Sequence, residues 1–341
     1  MKKSSVVKGL TLSVVLLFGV VCIFYSETVK QGVSNGLSLC ANTLIPSLFI
    51  FLCLSHTAVA YSEIHIPLLS KAYAAVFRAP RNTAVLFLLS LIGGYPVGAM
   101  LCARMLEEKK ITAAQAKRLP LYCCCSGPAF AVLAVGETMC GSKSVGLILF
   151  ASTVLSQCII GIVIGFFYRK QYDCKAVPLY TQTPSFAQAF TASVDKSIGG
   201  ILHICAYVVL FSVILCLIRL LPLPAGIQKY ISAVLEVTTG VENFKDNVPM
   251  LGFILGFGGI SVLFQIKKYL SLTGTNVFLF LLSRLAGGGL SFLICKGLLY
   301  LFPQTLPTLA AGLQVRTLSF SAPLSAVLVI SFCVFVMSDK F

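Results

Sequence analysis

Residues 84–103 read AVLFLLSLIGGYPVGAMLCA, an apolar run with basic residues on both sides. Lys71, Arg78 and Arg81 precede it; Arg104, Lys109, Lys110, Lys117 and Arg118 follow it. At ~1.5 Å per residue the run could cross ~30 Å of hydrocarbon once. Lysine and arginine near span ends collect in the cytoplasm, so both flanks are expected on the same face. The run is therefore expected to enter and leave on one side, as a re-entrant hairpin. Gly93-Gly94-Tyr95-Pro96-Val97-Gly98 supplies its tip, because glycine permits unusual backbone angles and proline ends a helix. The alternative is one kinked span, since proline is tolerated in membrane helices.

The rest of the chain sets that hairpin in a membrane. Residues are 57% hydrophobic and 11% charged, where a soluble chain carries about 25% charged residues. Stretches 10–25, 37–54, 145–167, 198–217 and 322–337 are nearly charge-free. They show no period-2 alternation, so helices are expected and a barrel is not. The net charge of +15 reads as a topology signal, and no nucleic-acid partner is expected. Most of the 14 cysteines lie in apolar runs and read as small hydrophobes. Cys123-Cys124-Cys125 are consecutive, which does not suit a zinc site, and neither metal nor cofactor is expected. The amino end, with Lys2, Lys3 and Lys8, reads as an uncleaved first span.

Placing spans by charge gives an all-α polytopic protein of two inverted-topology repeats with re-entrant hairpins and broken helices. The expected divisions are an N-terminal transmembrane anchor (1–34), a first repeat (35–170), a polar cytoplasmic linker (171–195), an inverted second repeat (196–300) and a C-terminal transmembrane helix (301–341). Both termini are expected in the cytoplasm, and most of the 26 lysines and arginines fall on that side. Each half runs crossing span, hairpin, broken span, crossing span, a construction common in secondary transporters.

Paired interruptions locate the candidate site. Ser126-Gly127-Pro128 corresponds to Gly258-Gly259-Ile260-Ser261, and Gly94-Tyr95-Pro96 to Glu236-Val237-Thr238-Thr239-Gly240. A helix that stops in mid-membrane turns free N–H groups and a positive dipole end toward a cavity, which suits a polar or anionic solute. Gly287-Gly288-Gly289 reads instead as close helix packing. Arg284 lies inside a span, where a charge costs ~2.5–3.5 kcal/mol on insertion scales. It needs a partner, Glu236, a substrate carboxylate or a purely structural ion pair, unless the span is shifted and the side chain snorkels. The candidate substrate-binding residues are Tyr95, Ser126, Gly127, Glu236, Thr238, Thr239, Gly259, Ser261, Gln265 and Arg284. Asn42 and Ser47, beside Pro46, are candidates for lining the path, and His203 reads as a packing histidine. No zinc-protease motif, Walker loop or nucleophile elbow is present, so an enzyme is not expected. Without an ATP site, transport is passive or coupled to an ion, H+ or Na+. The partners expected are a small anionic solute and the lipid bilayer, with a homo-oligomer left open.

Leu44-Ile45-Pro46-Ser47-Leu48-Phe49, Gly94-Tyr95-Pro96-Val97-Gly98-Ala99 and Ser126-Gly127-Pro128-Ala129-Phe130 resemble the nucleoside-recognition (Gate) domain family. The nearer resemblance is to sporulation integral membrane proteins of the YlbJ/SpoVV type. Glu236 to Gly240, Phe257-Gly258-Gly259-Ile260-Ser261-Val262 with Gln265, and Arg284 look like that family's carboxyl-half motifs. The resemblance implies a fold akin to concentrative nucleoside transporters. It also implies a role in sporulation, moving dipicolinate toward the forespore. The implied location is the bacterial cell membrane or the mother-cell-derived outer forespore membrane. Cys123-Cys124-Cys125 depart from the family, standing where similar proteins are more polar. The alternatives are an ion-coupled nucleoside or nucleobase symporter and a non-transport protein of spore-envelope assembly.

Overall fold

The computed structural model describes residues 2–60, 66–167 and 185–302. Every regular element among them is helical, as lipid demands of backbone that must satisfy its own polar groups. Five stretches are long and apolar enough to span a membrane: Ser26–Ala58, Lys143–Phe167, Phe186–Ile218, Val248–Thr273 and Val277–Leu301. A sixth apolar pair, Pro67–Phe77 and Arg81–Gly93, is bent by 105°. The C-terminal span expected over 301–341 lies outside the described residues from 303 onward.

Helix α1 (Lys2–Phe24) ends at Tyr25, whose φ of −108° and ψ of 40° break the helix before α2 (Ser26–Leu39). The expected anchor of 1–34 is thus shorter, and residues 26–34 belong to the next span. A π-helical turn, Cys40–Leu44, joins α2 to α3 (Ile45–Ala60). Pro46 has no amide to donate, and widening the turn ahead of it accommodates the loss. Helix α4 (Pro67–Phe77) stops at Arg78, which has a left-handed φ of 48°.

Helices α5 (Ala84–Gly93) and α6 (Tyr95–Glu107) flank Gly94 at φ 82°. A Cβ on Gly98 would lie 3.0 Å from the Ser90 side chain. In a continuous helix these residues would be ~12 Å apart along the axis. The run 84–103 therefore doubles back, and the single kinked span is set aside. A Thr112–Gln115 capping box starts α7 (Ala113–Arg118). The chain continues through a 3₁₀ turn, Leu119–Leu121, a non-helical segment 122–127 and a π-helix, Ala129–Met139, to α8 (Lys143–Phe167).

Helix α9 (Phe186–Ile218) begins inside the stretch 171–195 expected as a linker, because Ser185 and Gln188 form a capping box there. Residues 171–184 lie outside the described ones. Helices α10 (Ala225–Leu235) and α11 (Val237–Phe244) form a second hairpin. A Cβ on Gly240 would stand 2.7 Å from the Cα of Ala233. Helices α12 (Val248–Phe257) and α13 (Gly259–Thr273) make one span interrupted at Gly258 and Gly259, with φ of 85° and 74°. Helix α14 (Val277–Leu301) completes the described chain. Helix α9 packs along α2 and α3, while α14 packs on α12 and α8. The largest core cluster, with Leu251, Ile254, Leu255 and Leu149 fully enclosed, joins α12 to α8 and holds the hairpins between the two sets.

Candidate functional site

Each hairpin tip lies against the break of the span that follows it. A Cβ on Gly127 would be 2.8 Å from the Ile92 carbonyl oxygen and 3.0 Å from the Gly94 nitrogen. Only bare backbone on both sides permits that approach. In the second half, a Cβ on Gly259 would be 3.3 Å from the Val237 nitrogen and 3.4 Å from the Leu235 oxygen. The first tip also reaches across to α12. The Tyr95 hydroxyl donates to the Leu255 carbonyl, and its ring covers Gly258.

Between these discontinuities is a cavity whose unfilled space, counted to its mouth, is about 630 Å³. Gly94, Tyr95 and Pro96 line it from the first tip, and Gly127 from the first break. Glu236, Val237 and Thr238 line it from the second tip, and Val262 and Gln265 from α13. Leu44, Leu48, Phe51 and Phe130 give it an apolar wall. The N-termini of α6 and α11 both border it, and their dipoles set partial positive charge there. Glu236 is fully buried. Its carboxylate accepts from the amides of Thr238 at 2.9 Å and Thr239 at 2.6 Å. It therefore caps α11 and offers its remaining lone pairs to the cavity.

The cavity gathers Tyr95, Gly127, Glu236, Thr238 and Gln265 of the expected site. The other five lie elsewhere. Ser126 is buried and its hydroxyl donates to Thr153 at 3.4 Å. Gly259 packs on the second tip, and Ser261 is buried with no partner for its hydroxyl. Thr239 faces a separate cavity with Asn35, Arg219 and Glu242. Arg284 is 2% exposed and does not line the central cavity. Its guanidinium donates to the carbonyls of Cys124 and Leu121, the latter at 2.9 Å, and to Gln157 Oε1 at 2.6 Å. The expected Arg284–Glu236 pair is not formed, because Glu236 is held by its own helix and Arg284 by the non-helical backbone before Ser126. Asn42 is exposed and donates to Ser38.

One feature escaped the sequence reading. A vestibule with about 1670 Å³ of unfilled space adjoins the central cavity, and Leu52, Pro96, Ile204 and Gln265 line both. Among the described residues it is lined by Lys196, Lys267, Lys268, His56 and His203 and by no acidic residue. His203, expected to be a packed core histidine, is exposed there with its ring edge-on to Tyr207. The cavity containing Thr239 shares no lining residue with the central one. Among the described residues, no group of three or more His, Cys, Asp or Glu side chains is placed to hold a metal ion.

Neither a protein-family profile nor a solved structure matches the chain. The chain is similar to the "Sporulation integral membrane protein YlbJ" of Bacillus subtilis (strain 168), with 23% identity over 303 residues, 76% of this chain and 74% of that protein. With its five candidate spans, this homology makes the chain a multi-pass, all-helical membrane protein related to a sporulation membrane protein.

Proposed function

We propose that the chain acts in the membrane of a sporulating cell as a secondary carrier of a small organic anion, with dipicolinate as its solute. It is not an enzyme in this reading. The observation that carries it is the cavity bordered by both hairpin tips and both interrupted spans. Interrupted helices facing a common cavity are the usual construction of a carrier's solute site. The recurrence of span, hairpin, broken span and span supports two inverted repeats, akin to the Gate domain and to concentrative nucleoside transporters. The sporulation role comes from the relative's name.

Glu236 constrains this reading. At ~4 Å and an effective dielectric of ~20, each pair of like unit charges costs ~4 kcal/mol. A dianion beside an ionised Glu236 therefore requires a co-carried cation, H+ or Na+. Glu236 also favours a second reading, a nucleoside symporter, because a carboxylate accepts well from ribose hydroxyls. In the first reading both termini face the cytoplasm and the protein sits in the outer forespore membrane.

Reconstitution in proteoliposomes separates the readings. Labelled dipicolinate and labelled uridine are offered under imposed proton or sodium gradients. Gradient-dependent dipicolinate uptake without uridine uptake is expected. Uridine uptake alone selects the symporter. Uptake of neither by folded protein rejects both and leaves a role in envelope assembly.

A further inference from the structure

We propose that the vestibule bordered by Lys196, Lys267 and Lys268 is a capture site where a planar organic dianion docks before reaching the central cavity. This rests on the carrier reading above and adds a second site to it, one built from opposite chemistry. The central cavity contains a carboxylate; among the described residues the vestibule lining contains three ammonium groups, two imidazoles and no acid. Lys196 comes from α9 and the other two from α13, so the charges converge only in the folded chain.

The walls specify more than charge. The Phe264 and Tyr207 ring centroids are 6.4 Å apart, and His203 meets Tyr207 edge-on at 5.0 Å. Lys267 Nζ is 5.7 Å from the Phe264 centroid. An aromatic wall with ammonium groups at its rim fits a flat ring or conjugated acid bearing two carboxylates. The face of the solute covers the rings and its ends meet the lysines. Two charges fit better than one, because each carboxylate can meet its own ammonium. Gln265 lines both spaces and offers an amide donor at the junction. Solute drawn to the vestibule thus meets a neutral donor before it meets Glu236. An anionic lipid headgroup presents the same charge without the flat face.

The test is lysine protection on the full chain purified in detergent. An amine-acylating reagent is applied with and without pyridine-2,6-dicarboxylate, in micelles with and without phosphatidylglycerol, and site occupancy is read by mass spectrometry. Acylation of Lys196, Lys267 and Lys268 is expected to fall several-fold with the dicarboxylate, less with benzoate, while the exposed Lys30 and Lys143 are unchanged. Protection by the lipid alone, equal protection at all five lysines, or no protection overturns the proposal. A second arm measures dicarboxylate transport by the Lys196→Gln/Lys267→Gln/Lys268→Gln protein. Loss of electrostatic capture predicts a KM raised about tenfold with kcat retained. An unchanged KM in an active variant overturns the proposal. Protection is read without transport, so it decides the capture site even if the carrier reading fails.

Discussion

Arg284 on α14 and Gln157 on α8 are joined by a bond of 2.6 Å from guanidinium Nη2 to the carboxamide oxygen. The same guanidinium serves the carbonyls of Leu121 and Cys124. Residues 122–126 are buried and non-helical, a backbone that a membrane interior tolerates only where protein groups satisfy it. Arg284 supplies donors that no neighbouring peptide can.

Arg284→Met tests that account. The change removes a central charge worth ~2.5–3.5 kcal/mol in insertion cost. It also strands three acceptors at ~1–3 kcal/mol each. At mid-range values the second effect is the larger. The variant is expected to insert but to melt several degrees lower in detergent by differential scanning fluorimetry. A melting temperature at or above wild type would show that those carbonyls need no donor.

Glu236→Gln keeps the shape but replaces one acceptor oxygen with an NH₂ group. One of the α11 amides then loses its partner, at ~1–3 kcal/mol. In the carrier reading the coupling group is lost as well. Uptake in proteoliposomes is expected to fall at least tenfold while the protein still elutes as a folded species. Wild-type uptake would remove Glu236 from the transport site.

The glycines of α14 separate packing from coincidence. A Cβ on Gly288 would be 3.0 Å from the Phe253 carbonyl oxygen, whereas one on Gly289 would meet nothing within 4 Å. Gly288→Ala is expected to destabilise by ~1–3 kcal/mol, the cost of overpacking. Gly289→Ala is expected to stabilise by up to ~1 kcal/mol through helix propensity. Thermal melts of the two proteins should therefore move in opposite directions.

A pH effect is expected at the end of the first hairpin. Burial raises the Glu108 carboxyl, but hydrogen bonds and charges from Lys110 and Arg104 outweigh it and leave the group below its ordinary value. A folded-state value below the unfolded one stabilises near neutral pH, and the contribution is lost as pH falls through the folded value. The turn is partly exposed, so the effect is at most ~1 kcal/mol. Hydrogen exchange at 104–110 is expected to quicken in acid in the wild type, with a smaller change in Glu108→Gln.

The breaks were legible because Gly94, Gly127 and Gly258 permit angles and close approaches closed to other residues, while Pro128 fixes its φ and lacks an amide. The hairpin at 84–103 was legible from its flanking charges. The partners of Arg284 were not, because a carbonyl oxygen leaves no mark in sequence, whereas Glu236, the one buried acid among the described residues, does. The vestibule was hidden for a different reason. Lys196 and Lys268 lie far apart in sequence, and only the packing of α9 beside α13 brings them to one space. Thr239 was assigned to the central cavity with Thr238, yet consecutive residues of α11 face different spaces.

The bonds of Arg284 also dictate an order of events during synthesis. Its three acceptors precede it by 160, 163 and 127 residues. The ribosome thus delivers the first interrupted span long before the side chain that completes it. A nascent chain stopped short of α14 holds the Leu121 and Cys124 carbonyls without that donor. Those buried carbonyls of the first half therefore gain this donor only once α14 is in place.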